Sequence, residues 1–135
     1  MIKKALVVND DKILLFIASK MINMEFSQET VTAHDGEAAL SYFEKAALTP
    51  ETRATAPEFI FLDIHMPIMS GLDFLEIFSK KYTSIFPNVK VAILSASVDD
   101  HEILQLKKYK LVLDHIPVPL SIEKLRTVKE KFIRA

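Results

Sequence analysis

Apolar residues in this chain gather into short unbroken runs, and the runs are separated by stretches of helical spacing. Ala5-Leu6-Val7-Val8 and Phe59-Ile60-Phe61-Leu62 are continuous apolar segments bounded by polar and turn residues. That is the pattern of strands buried on both faces. Asn88 to Leu94 is a third strand of this kind, ending in Ser95-Ala96-Ser97. Glu29 to Ala33 alternates and is β-branched, which suits a place nearer a sheet edge, and Leu111 to Ile116 supplies a weaker last strand.

The intervening spacing predicts helices from Asp11 to Met24, Glu37 to Ala47, Gly71 to Tyr82, Ser97 to about Lys110, and Ser121 onward. In the first, Leu14, Ile17, Ala18 and Met21 make the inward stripe, and Leu15 and Phe16 widen it, either as core or as a contact face. Ala39, Leu40 and Phe43, then Leu72, Leu75 and Phe78, then Ile122, Leu125, Val128 and Phe132 are the inward positions of later helices. Ser97-x-x-Asp100 reads as a capping box with Asp in place of Glu, and Ser121 as the cap of the last helix. His34-Asp35-Gly36 is a turn. Leu48 to Pro57 has two Thr/Ala-Pro steps and little periodicity, and reads as a long loop, either a binding loop or a tolerated surface insertion.

Five strand–helix units make a parallel sheet with helices on both faces, and right-handed crossovers leave few topologies. The 135 residues suffice for one domain with a substantial core, so residues 1–135 are read as a single domain. Half of them are hydrophobic, which fits a globule and argues against disorder. The formal net charge is -1 and no basic block stands out, so no nucleic-acid surface is expected. The absence of cysteine excludes disulfides and thiolate chemistry. No apolar run reaches membrane-spanning length, and Met1-Ile2-Lys3-Lys4 leads straight into a strand rather than a signal peptide, so a cytoplasmic protein without membrane contact is expected.

The candidate chemistry centres on Asp63, an ionisable residue at the carboxyl end of a buried strand, where open α/β sheets bind ligands. The plain alternative is a solvated loop carboxylate or a helix cap. The spacing Asp63-x-x-Met66-Pro67-x-Met69-x-Gly71 resembles the phosphoacceptor motif of response regulator receiver domains, the CheY-like family of two-component signalling. Ala33-x-x-Gly36-x-x-Ala39-Leu40 resembles that family's second strand–helix unit, and the likeness extends over nearly the whole chain.

The resemblance implies a flavodoxin-like (βα)5 fold of strand order 2-1-3-4-5, with a switch point between strands one and three, where Asp10 and Asp63 end their strands. It implies that Asp63 accepts a phosphoryl group from a histidine kinase or phosphotransfer protein, without the chain being an enzyme in the ordinary sense. It implies Mg²⁺, or Mn²⁺, held by Asp10, Asp63 and the main-chain carbonyl of His65, with Asn9 reaching the metal through a water. Ser95 aligns with the hydroxyl that donates to the phosphoryl group, although a serine near a helix start is ordinarily a cap. His65, two residues past the acceptor, is either an exposed loop histidine or a modulator of the phosphoryl group. His115 stands where the family often has an aromatic switch residue, and an imidazole titrates near neutral pH instead.

Val118 occupies the position of the family's lysine, which contacts acceptor and phosphoryl group. A charge-assisted hydrogen bond of that kind contributes roughly 1.5–3 kcal/mol, so switching is expected to be weak. Asn9 also lacks the usual charge. With one carboxylate and one lysine fewer, two carboxylates and a divalent cation still sum to zero. The expected readout is a downstream protein bound at the fourth helix, fifth strand and fifth helix, with no output domain. The competing reading is a pseudo-receiver that binds its partner without phosphorylation. A haloacid-dehalogenase-type phosphatase would need Asp-x-Asp, and this chain has Asp63-Ile64-His65.

Overall fold

The computed structural model describes residues 1–135. In chain order the elements are β1 (Ile2–Val8), α1 (Lys12–Glu25), β2 (Ser27–Ala33), α2 (Gly36–Ala46), α3 (Pro50–Ala54), β3 (Phe59–Leu62), α4 (Gly71–Lys81), β4 (Lys90–Ser95), α5 (Asp100–Leu106), β5 (Val112–Pro117) and α6 (Ile122–Arg134). All strand pairs are parallel and the sheet order is β2-β1-β3-β4-β5, as expected. β1 lies between β2 and β3, and β2 is an edge strand.

Period-2 alternation divides the sheet residues between two cores. Leu6, Val8, Ile60, Leu62, Val91 and Ile93 face α2, α4 and α5, where Phe43 meets Phe78 and Phe86 at centroid distances of 4.9 and 5.4 Å. Ala5, Val7, Phe59, Phe61, Ala92 and Leu94 face α1 and α6. There Phe26 sets its edge against Phe59 and Phe61 at 4.9 and 5.0 Å. Edge contacts of this geometry align each ring's positive rim with its neighbour's negative face.

Four expectations need correction. Residues 48–57 are not all loop: Thr49 and Thr52 form a reciprocal capping box and Pro50 starts α3, which is too short for periodicity to reveal. The helix after β4 is capped by Asp99 rather than Ser97, with Glu102 completing the box, and it ends at Leu106 rather than near Lys110. On α1 the buried residues are Ala18 and Ile22, with Leu15 and Met21 packed beside them. Leu14 and Ile17 are exposed instead, and Phe16 is 62% exposed, so it is not core. Because α3 is additional, the face formed by the family's fourth helix, fifth strand and fifth helix corresponds here to α5, β5 and α6.

Candidate functional site

Parallel strands bring their carboxyl ends to one edge of the sheet, and four loops converge there. Asp63 N donates to the Val8 carbonyl at 3.0 Å and Asn9 N to the Ala33 carbonyl at 3.2 Å, which extends the β1 ladder to the start of the first loop. Asp11 then caps α1, its Oδ1 accepting from Ile13 N at 2.9 Å and Leu14 N at 3.2 Å. Asp11 is thereby committed to the helix, whereas Asp10 remains exposed beside Asp63. Asn9 is 5% exposed, and its Oδ1 accepts from Asp11 N at 2.9 Å, so its carbonyl shapes the same loop.

The loop after β3 is fixed by its backbone. Gly71 N donates to the Ile64 carbonyl at 2.9 Å and Met69 N to the Pro67 carbonyl at 2.8 Å. Between them Ile68 adopts a φ of 70° while 96% exposed. A β-branched residue in that region is strained. The Asp63 carboxylate accepts from His65 N at 3.1 Å. Burial raises the Asp63 pKa above its ordinary value, and the Asp10 charge adds to the rise. The His65 backbone bond, the His65 charge and the Ser95 hydroxyl oppose it.

Ser95 ends β4 and is buried. Its Oγ lies 3.4 Å from His65 Nδ1 and 3.4 Å from the Ser97 carbonyl, both long contacts. The opposite ring nitrogen of His65, Nε2, is 2.8 Å from Glu102 Oε2 in the first turn of α5. Behind Ser95, His115 Nε2 donates to the Ser95 carbonyl at 3.3 Å, and Val118 N donates to the same oxygen at 3.4 Å. The Val118 side chain packs against the core under α1 and α6, and the Val118–Pro119 bond is cis. Lys124 of α6 clamps this loop from outside, its Nζ donating to the Pro117 and Pro119 carbonyls at 2.7 and 2.8 Å.

Asp10, Asp63, His65 and Ser95 are thus gathered at one point, with His115 and Val118 one layer behind. Glu102 and Lys124 are additions that sequence reading missed. The Asp99-x-x-Glu102 spacing marks a helix start, but nothing in it points to a histidine 37 residues earlier.

The donor set suits a hard divalent cation. The Asp10 and Asp63 carboxylates repel across the site, and the influences on Asp63 include no lysine or arginine. No three His, Cys, Asp or Glu side chains converge into a closed cage. Mg²⁺ commonly takes one or two carboxylates and keeps its waters.

A family model described as the response regulator receiver domain matches residues 5–129. A protein-glutamate methylesterase/protein-glutamine glutaminase of Pyrococcus abyssi is 29% identical over 135 residues, covering 96% of this chain and 33% of that protein. The chain therefore spans about a third of that relative's length. Among solved structures, a two-component response regulator from Cytophaga hutchinsonii superposes with a TM-score of 0.80 at 23% identity, covering 99% of this chain and 98% of the other. The Vibrio cholerae chemotaxis protein CheY4 gives 0.77 at 19% identity, covering 98% and 99%.

Proposed function

The chain belongs to the response regulator receiver domain family of two-component signalling, and from that premise we propose that Asp63 is its phosphoacceptor, fed by a histidine kinase or phosphotransfer protein. One observation carries the reading: a half-buried carboxylate at the end of β3 faces both the Asp10 carboxylate and the Ser95 hydroxyl across the switch point. An Asp63 oxygen attacks the donor's phosphorus, the phosphorus–nitrogen bond of the phosphohistidine breaks, and its electron pair leaves with the imidazole.

Such transfer is achieved by positioning and by stabilising charge on the phosphoryl oxygens. The His65 N–H holds the Asp63 carboxylate in orientation, and the Ser95 hydroxyl supplies a donor. Asp10, Asp63 and the His65 carbonyl would hold Mg²⁺ or Mn²⁺, which when bound offsets negative charge on the carboxylates and the phosphoryl group. The chain is a phosphoacceptor rather than a turnover enzyme. It passes the signal on by binding a downstream protein at α5, β5 and α6.

A pseudo-receiver is the second reading. It is favoured by Val118 packed into the core at the lysine position and by Asn9 turned onto the Asp11 backbone. Intact mass after incubation with acetyl phosphate separates the two. Gain of one phosphoryl group with Mg²⁺, and none with chelator, supports the acceptor. No gain even with a kinase present supports the pseudo-receiver.

A further inference from the structure

The Glu102 carboxylate is divided between two tasks. Its Oε1 accepts from Asp99 N at 3.0 Å, which closes the capping box at the start of α5. Its Oε2 lies 2.8 Å from His65 Nε2. The remaining ring nitrogen, Nδ1, faces Ser95 Oγ at 3.4 Å, next to Asp63. A chain of contacts therefore runs from α5 through one imidazole to the acceptor's neighbours. Glu102 is 19% exposed in its side chain and His65 50%, so the carboxylate is the better anchored of the two.

We propose that Glu102 is a positioning residue for the acceptor site: it holds the His65 imidazole with Nε2–H toward α5 and a bare Nδ1 toward Ser95, and so ties α5 to the acceptor loop. The inference rests on Asp63 being the acceptor. An ionised carboxylate only accepts hydrogen bonds, so the neutral imidazole beside it must carry its hydrogen on Nε2. Nδ1 is then an acceptor beside the Ser95 hydroxyl, whose one hydrogen is shared among Nδ1, the Ser97 carbonyl and Asp63 while Asp63 is unmodified. Phosphorylation offers that hydroxyl a more strongly charged acceptor. The imidazole then loses one of its two anchors, and the change is felt at Glu102 and the first turn of α5. The family's lysine makes its tie from the loop after β5, where this chain has Val118. Here a second tie is built from β4 and α5.

The test uses Glu102→Gln, which can keep the capping box. The side-chain oxygen must stay on Asp99 N–H, so its NH₂ group faces His65 Nε2. The hydrogen of the neutral ring should then move to Nδ1. Ring ¹⁵N shifts of unphosphorylated protein, recorded at a pH beyond which they no longer change, read this directly. Wild type should carry the hydrogen on Nε2 and Glu102→Gln on Nδ1. The same tautomer in both variants overturns the proposal, whether or not the protein can be phosphorylated. The second readout is the lifetime of the aspartyl phosphate in a double-mutant cycle. Glu102→Gln should change it by about twofold or more with His65 present, the low end of coupling between contacting residues. It should do nothing in a His65→Ala background. Equal effects in both backgrounds would show that Glu102 acts only as a helix cap.

Discussion

A Cβ built on Gly71 would stand 2.6 Å from the main-chain carbonyl oxygen of Asp63 and 2.6 Å from Ile64 Cα. The helix that follows the β3 loop starts in direct backbone contact with Asp63 itself. The glycine of the motif is therefore explained by space, because its φ is not positive.

Gly71→Ala must push backbone against backbone. It should cost about 1–3 kcal/mol, the usual cost of overpacking, and displace the amide signals of Asp63 and Ile64. Gly36 is the control. A Cβ there meets the flexible end of Met69, with Sδ at 2.8 Å, so Gly36→Ala should cost clearly less. Urea unfolding of the two variants decides, and equal losses would refute the close-approach argument.

Asp10 and Asp11 should separate cleanly. Asp11→Ala removes the cap that serves Ile13 N and Leu14 N, and should cost about 0.5–2 kcal/mol of stability with Mg²⁺ affinity nearly retained. Asp10→Ala should do the reverse, since its carboxylate faces Asp63. Calorimetric Mg²⁺ titration beside urea unfolding checks both. Greater loss of Mg²⁺ binding in Asp11→Ala would move the metal site by one residue.

Asp63 carries a pH signature. Burial first, and the Asp10 charge after it, raise its pKa above the ordinary 3.8. Folding therefore favours the protonated form. That stabilisation is complete below the unfolded value and is lost as pH rises through the raised folded value. At neutral pH without metal, Asp63→Asn should be more stable than wild type, and the difference should vanish below the ordinary aspartate range. Denaturation curves at the two pH values test this. A gain that persists unchanged in acid would assign it to something other than the Asp63 charge.

Much of this site was legible in the sequence because its parts are local. Four consecutive apolar residues before Asp63, and the proline and glycine after it, name a buried strand, a loop and a helix start without reference to the rest of the chain. Helix phase was less legible on α1, where Ile13 to Ile17 are all apolar, so several phases fit and the exposed Leu14 and Ile17 passed for core. At the start of α5 two overlapping frames, Ser97-x-x-Asp100 and Asp99-x-x-Glu102, both resemble a capping box, and the one carrying Glu is the real cap. The His65–Glu102 pair and the Lys124 clamp were not legible at all. The first joins residues 37 positions apart through the fold, and the second, though only five and seven residues apart, depends on how α6 leaves the loop after β5.

Val118 should weaken coupling between Asp63 and the β5 and α6 part of the face, which the His65–Glu102 contact to α5 does not reach. Its side chain lies against the core, and the loop is held by Lys124 and by Val118 N on the Ser95 carbonyl. A ligand shifts an equilibrium only by its differential affinity for the two states. Beryllofluoride should therefore move the amide signals of His115 and α6 little in wild type and more in Val118→Lys. The added charge should also lower Mg²⁺ affinity slightly. Large wild-type shifts that Val118→Lys leaves unchanged would show that the lysine is dispensable here.

Phosphoacceptance stands or falls with Asp63 itself. Wild type and Asp63→Asn should be incubated side by side with acetyl phosphate and Mg²⁺, then with a histidine kinase, and read by intact mass and peptide mapping. One hydroxylamine-sensitive phosphoryl group should appear on wild type, mapped to the peptide containing Asp63, and none on Asp63→Asn. Equal modification of both proteins would place the chemistry on another residue, and a wild type left unmodified by both donors would contradict Asp63 as phosphoacceptor.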